Sequence, residues 1–258
     1  MAYCINHPSG GNSMKDLADL HTHTIASGHA YATLCEMAHS AAQKELPILG
    51  ISDHAPSMPG SSQEIYFRNF QVVPDEIEGV RILCGCELNI LDYEGRIDLT
   101  ERTLSRLDYT IASLHDLCTA PGSVEQNTAA YIGASKNPHV VIIGHPDDGR
   151  FPADYESIVK AAKEHHTLIE LNNSSFIPNT SRVNTRENSL TILRYCKKYR
   201  TPVIISSDAH FVCDVANHRL SLELLASVDF PDSLVANYSA SLLAEYIPAL
   251  RPEKNSDV

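Results

Sequence analysis

Seven short runs of mainly apolar residues recur along this chain, at 17–21, 48–52, 80–87, 109–113, 140–143, 167–171 and 202–206. They constrain its fold more than any other feature. Most are rich in Val, Ile and Leu and continuous rather than alternating, which is the pattern of parallel strands covered on both faces. The segments between them have mainly helical character. Thr33 and Glu36 have capping-box spacing, and the helix they open must end near Pro47. Asn184 and Glu187 repeat that spacing ahead of Leu190, Leu193 and Cys196, a stripe suited to burial. Residues 155–165 and 215–228 read as further helices. Alternation of strand and helix makes a parallel α/β fold, and seven strands point to a barrel rather than an open sheet. No repeat, low-complexity tract or linker divides the 258 residues. One domain is therefore expected over 16–250, with 1–15 a flexible leader and 251–258 a tail.

The chemistry lies where the runs end. The first ends in His21 and His23, with His29 in the next loop; the second ends in Asp53 and His54. Glu87 closes the third, His115 follows the fourth, and His145 follows the fifth. The sixth ends Glu170-Leu171-Asn172-Asn173, and Asp208 and His210 follow the seventh. Side chains i and i+2 of a strand share a face, so His21 and His23 converge. In a parallel barrel all C-terminal strand ends open on one mouth. Any one of these histidines read alone is a hydrogen-bonded loop residue; coincidence at so many strand ends is a metal site. His7, His39, His139, His165, His166 and His218 fall in helices or loops and carry no such expectation. Cys84 and Cys86 beside Glu87 read as small core residues.

Nine nitrogen and oxygen ligands exceed the four that close a structural zinc site. Three divalent ions with about three protein ligands each would leave positions open for water and substrate. Such a cluster would carry a local charge of roughly +4, against −12 for the whole chain. It therefore favours an anionic substrate, most simply a small phosphate ester. The overall acidity disfavours nucleic acid and polybasic membrane attachment. No run approaches the ~20 apolar residues that span a bilayer, and no secretory signal is visible. Seven cysteines, irregularly spaced, are expected as free thiols in a cytoplasmic protein.

The ordered set His21-x-His23, His29, Asp53-His54, Glu87, His115, His145 and Asp208-x-His210 resembles the polymerase-and-histidinol-phosphatase (PHP) superfamily. It is most similar to the bacterial YcdX-type trinuclear zinc phosphatases. The stretch 168–176 with Ser181-Arg182 looks like that group's sixth-strand loop. Ser206 and Ala209, where Gly and Ser are more usual, are the departures, and neither is a ligand. The resemblance implies a distorted seven-stranded (β/α)7 barrel and a phosphoesterase. It also implies zinc as cofactor, with manganese or iron as alternatives, and a possible homotrimer. It divides the ligands as His21, His23, Glu87 and Asp208 for one metal, then Glu87, His115 and His145, then His29, His54 and His210. Spacing alone does not give that division.

On this reading a hydroxide bridging two metals attacks phosphorus in line. Arg182 is the candidate phosphate clamp, with Asn172 and Ser174 candidates to face the substrate. Asp53 either protonates the leaving group or positions a histidine. Histidinol-phosphate phosphatase is the nearest alternative. A metal-loaded binding or regulatory module without turnover is the alternative from another class. An amidohydrolase barrel is disfavoured because no lysine stands at a strand end, and a nuclease because the composition is acidic.

Overall fold

The computed structural model describes residues 16–251. The expected leader with His7, and the tail from 252, lie outside the described residues. Among the described residues eight strands form: β1 (Ala18–Asp19), β2 (Ile48–Ile51), β3 (Glu76–Ile77), β4 (Val80–Asn89), β5 (Tyr109–Ser113), β6 (Ile142–Ile143), β7 (Leu168–Asn172) and β8 (Val203–Ser206). Seven run parallel in the order β1-β2-β4-β5-β6-β7-β8, as a nearly closed barrel. The eighth strand, β3, was not expected. It is the short antiparallel arm of a hairpin on β4, turned by Glu78 and Gly79, both at positive φ.

The helices are α1 (Leu34–Gln43), α2 (Glu64–Arg68), α3 (Glu101–Leu104), α4 (Val124–Ser135), α5 (Tyr155–Glu164), α6 (Thr185–Tyr199), α7 (Arg219–Ser227) and α8 (Ala240–Tyr246). The capping box of α1 forms as expected: Glu36 N–H donates to Thr33 Oγ1 and Thr33 N–H to Glu36 Oε2. That of α6 does not. Asn184 adopts a left-handed backbone at φ 54° and makes no side-chain cap. The expected helix over 215–228 begins only at Arg219, because Ala216 at φ 57° cannot continue a right-handed helix. A second capping box, of Ser123 and Gln126, opens α4.

The main apolar core lies between strands β4 to β8 and the helices that cover them, with Leu88, Ala112, Ile143, Ile169 and Ile205 among its strand members. At the barrel floor, opposite the mouth, Tyr109 is 2 % exposed and donates its hydroxyl to Leu20 O at 2.6 Å. Two glycines make room for the ring. A Cβ on Gly50 would lie 2.2 Å from the Tyr109 hydroxyl, and one on Gly85 would lie 2.5 Å from its ring. The floor is thus an aromatic plug.

The barrel closes differently from the way it is built. Its strands pair through backbone ladders, but β8 meets β1 only at one bridge, Thr22 with Ala209. Asn237 fills the gap. Fully buried, it donates to Ala18 O at 2.8 Å and Ile205 O at 2.9 Å, and accepts from Ile205 N–H at 2.7 Å. One amide side chain therefore stands in for a missing stretch of ladder.

The seven thiols expected from the sequence are not all free: Cys213 is disulfide-bonded. Cys35, Cys84, Cys86, Cys118 and Cys196 are free.

Candidate metal centre

The nine expected ligands do come together at the C-terminal strand ends. His21, His23, His54, Glu87, His145 and Asp208 are buried, while His115 and His210 are partly exposed and His29 lies on the rim. Two of them sit on strained backbone, His145 at φ 27° and Asp208 at φ 58°. Such conformations cost about 1–3 kcal/mol each and persist where the surroundings fix them.

Glu87 is the hub, and its two oxygens face different groups. Oε2 lies 3.3 Å from His21 Nε2, 3.5 Å from His23 Nε2 and 2.7 Å from His54 Nδ1. Oε1 accepts from Ser113 Oγ at 2.7 Å and lies 3.2 Å from His115 Nε2 and 3.0 Å from His145 Nε2. Asp208 Oδ1 completes the first group, 3.5 Å from His21 Nε2 and 3.2 Å from His23 Nε2. Ligands about 2.0–2.1 Å from a tetrahedral ion are separated by about 3.3 Å. The four distances among His21, His23, Glu87 and Asp208 bracket that value.

Hydrogen bonding makes the same case. His21 Nε2, His23 Nε2, His54 Nδ1 and Glu87 Oε2 are buried without a hydrogen-bond partner. Leaving such a group unsatisfied costs about 1–3 kcal/mol, more when charged. These orphans, gathered around Glu87 Oε2, fit a cluster of cations. The outward ring nitrogens of His21, His115 and His23, by contrast, are engaged. His21 Nδ1 donates to Glu170 Oε1 at 2.6 Å, His115 Nδ1 to Asn89 Oδ1 at 2.8 Å, and His23 Nδ1 to Ser27 Oγ at 3.0 Å. These bonds occupy Nδ1 and leave each Nε2 facing the centre.

The third group is less separate than the resemblance implies. The His29 ring is centred 4.9 Å from those of both His54 and His210. Yet His54 also falls within ligand distance of Glu87 with His115, and of His23 with His210. His54 therefore stands between groups rather than in one.

Charge is arranged to suit cations. Burial would raise the Glu87 carboxyl, but His21, His54 and His115 hold it well below the usual range. Asp208 is likewise depressed against its burial, by His21 and Arg182. Burial, with His210 and His54 beside it, pushes His23 well down and keeps its ring neutral.

The remaining candidates take other places. The Asp53 carboxylate accepts from Thr24 N–H, Thr24 Oγ1, Ser27 Oγ and Tyr66 OH at 2.7–2.8 Å. These bonds tie Asp53 to the loops that carry His23 and His54. Arg182 donates to Asp208 Oδ2 at 2.8 Å and to Asn172 Oδ1 at 3.2 Å. Asn172 is buried and ties Glu170 to Asp208. Ser174 is partly exposed and donates its backbone N–H to Asn172. A wide apolar cleft of about 840 Å³, lined by Ile25, Ile65, Tyr66 and Val72 among others, contains none of the nine residues.

Glu170 was missed. It is 2 % exposed in the middle of the apolar run of β7, holds His21 through Oε1, and accepts His145 N–H through Oε2 at 2.7 Å. The signal was present: a carboxylate inside a run of Leu and Ile. Glu170→Gln is expected to weaken metal binding about 10- to 100-fold, because an amide cannot accept from both His21 and His145 without turning its NH2 toward one of them. Zinc competition with a chromophoric chelator reads this; unchanged affinity would mean that Glu170 only stabilises the fold.

The model of the PHP domain family matches residues 19–177. A "Probable phosphatase" of Caldicellulosiruptor saccharolyticus is 47% identical over 229 residues, covering 89% of this chain and 95% of that protein. One from Caldanaerobacter subterraneus subsp. tengcongensis is 46% identical over 243 residues, covering 94% and 95%. Among solved structures, histidinol phosphate phosphatase from Lactococcus lactis, complexed with zinc, L-histidinol and phosphate, superposes with a TM-score of 0.57. It shares 14% identity over 84% of this chain and 95% of its own. At that identity the likeness is one of fold.

Proposed function

Given that the chain belongs to the PHP domain family, we propose that it hydrolyses a small phosphate monoester at a trinuclear centre built around Glu87. It is a hydrolase of the phosphatase class. The observation that carries the metal reading is the set of buried lone pairs without partners around Glu87 Oε2. His21, His23, Glu87 and Asp208 would hold one divalent cation. Glu87, His115 and His145 would hold a second, and His29, His54 and His210 a third. Zinc suits this imidazole-rich set, and manganese or iron would also be accepted. Bound there, such ions supply Lewis acidity and an activated water.

The chain's own residues do the rest. Glu87 and Asp208 balance part of the cationic charge and leave a surplus for phosphate. Arg182, on Asp208, presents a guanidinium fork to a phosphate oxygen. Glu170, Asn89 and Ser27 fix the imidazole orientations, and Asp53 holds the loops of His23 and His54. Residues 16–250 form the catalytic unit. A second reading, histidinol phosphate as substrate, is supported by the fold shared with the Lactococcus lactis enzyme. A panel of phosphate esters separates the two.

His21→Ala is expected to lose bound metal and turnover together. Elemental analysis beside a phosphatase assay on one preparation tests this, and retained turnover at reduced metal content would falsify the scheme. Chelated wild type should lose activity and regain it when zinc is restored.

A further inference from the structure

The seam where β8 meets β1 carries the ligands of one proposed centre, His21 and His23 on one side and Asp208 on the other. Asp19, fully buried, ties these two sides together. Its Oδ1 accepts from Ser207 N–H at 3.1 Å and His21 N–H at 3.5 Å. Its Oδ2 accepts from Ser207 Oγ at 2.5 Å and Ala216 N–H at 2.8 Å. One carboxylate thus spans from the residue two before His21 to the residue adjoining Asp208.

A buried anion so placed needs a counter-charge, and His218 supplies it. His218, expected from the sequence to be unremarkable, is 3 % exposed. Its Nδ1 pairs with the Asp16 carboxylate, and its Nε2 lies 3.6 Å from Asp19 Oδ1. Burial opposes its charge, but Asp16 and Asp19 outweigh that and carry its pKa up to about 10. Asp16 also accepts from Asn237, the residue that bridges β1 and β8, at 3.3 Å. Lys44 acts on Asp19 by charge, but its ammonium donates to Cys213 O at 2.7 Å and Val215 O at 2.5 Å.

We propose that His218 is a positioning residue for the cation centre: clamped between Asp16 and Asp19, it presets the spacing of His21 and His23 against Asp208. It touches neither substrate nor ligand and acts through Asp19 and Ser207. The proposal rests on the metal reading above and adds a residue to it.

Metal-free wild type and His218→Gln are titrated with Zn2+ against a chromophoric chelator, and with Co2+ followed by visible absorption. The variant is expected to bind one class of ion about tenfold more weakly, the lower end of what outer partners of metal ligands contribute. Its other sites should match wild type. Turnover should recover as Zn2+ is raised, with the KM for substrate unchanged. A purely structural role instead lowers the melting temperature of the metal-free protein and leaves Zn2+ affinity alone. That result, or equal weakening at every site, overturns the proposal. If His218→Gln does not fold, Asp16→Asn decides, since it removes the partner of His218 and retains an oxygen for Asn237. Weakening of the same class of site is expected there, and wild-type affinity overturns the proposal. Wild type that binds no Zn2+ removes the centre itself, an outcome distinct from equal binding by wild type and variant.

Discussion

Glu87→Gln is expected to lower kcat/KM on a phosphate monoester by about 10³-fold, the upper scale for losing one preorganised electrostatic group from a reaction site. The change is nearly isosteric, so packing does not account for the effect. Chemistry does. The two Glu87 oxygens face two sets of imidazoles, His21, His23 and His54 on one side and His115 and His145 on the other. A glutamine has one oxygen and must turn its NH2 group toward one set, where it is a donor and no ligand. The negative charge that offsets the cations is lost as well. Elemental analysis and a phosphatase assay on the same preparation check both consequences. Wild-type metal content with wild-type turnover would remove Glu87 from the centre.

Arg182→Ala should lower kcat/KM about 10²-fold, the scale at which one oxyanion donor is felt, and raise the inhibition constant of inorganic phosphate in parallel. Arg182→Lys should recover only part, since an ammonium cannot make the paired contact of a guanidinium. The structure sets a rival outcome. Arg182 pairs with Asp208 Oδ2 at 2.8 Å, and both side chains are largely buried. Removing it strands the Asp208 carboxylate, which would then be felt in metal binding. Lost metal with unchanged phosphate inhibition would assign Arg182 to Asp208 and not to substrate.

How far these residues were legible follows from what each one needs. His21, His23, Glu87 and Asp208 stand out in the sequence because metal chemistry demands particular atoms at strand ends, and seven parallel strands aim their ends at one mouth. Glu170 was noted at the end of the sixth run but given no role, because its partners are 149 and 25 residues away. Local patterns failed where the backbone overruled them. Asn184 and Glu187 have capping-box spacing, but a left-handed Asn184 turns its side chain from the helix. His218 looked like an unremarkable residue of the expected 215–228 helix, since nothing in its neighbourhood shows that Asp16 and Asp19, some 200 positions earlier, enclose it. Arg182 and Asn172 were found as residues, but their bonds to each other and to Asp208 join positions 10 to 36 residues apart, which no local pattern shows.

The Tyr109 plug bears on how the enzyme runs. With a tyrosine ring fitted against Gly50 and Gly85 at the barrel floor, access to the site is expected from the mouth at the C-terminal strand ends. Substrate, alcohol product and inorganic phosphate must share it. At the proposed centre the alcohol would leave without hindrance, and phosphate would leave last, past Arg182. Product release would then pace turnover, and inorganic phosphate is expected to act as a brake on the reaction.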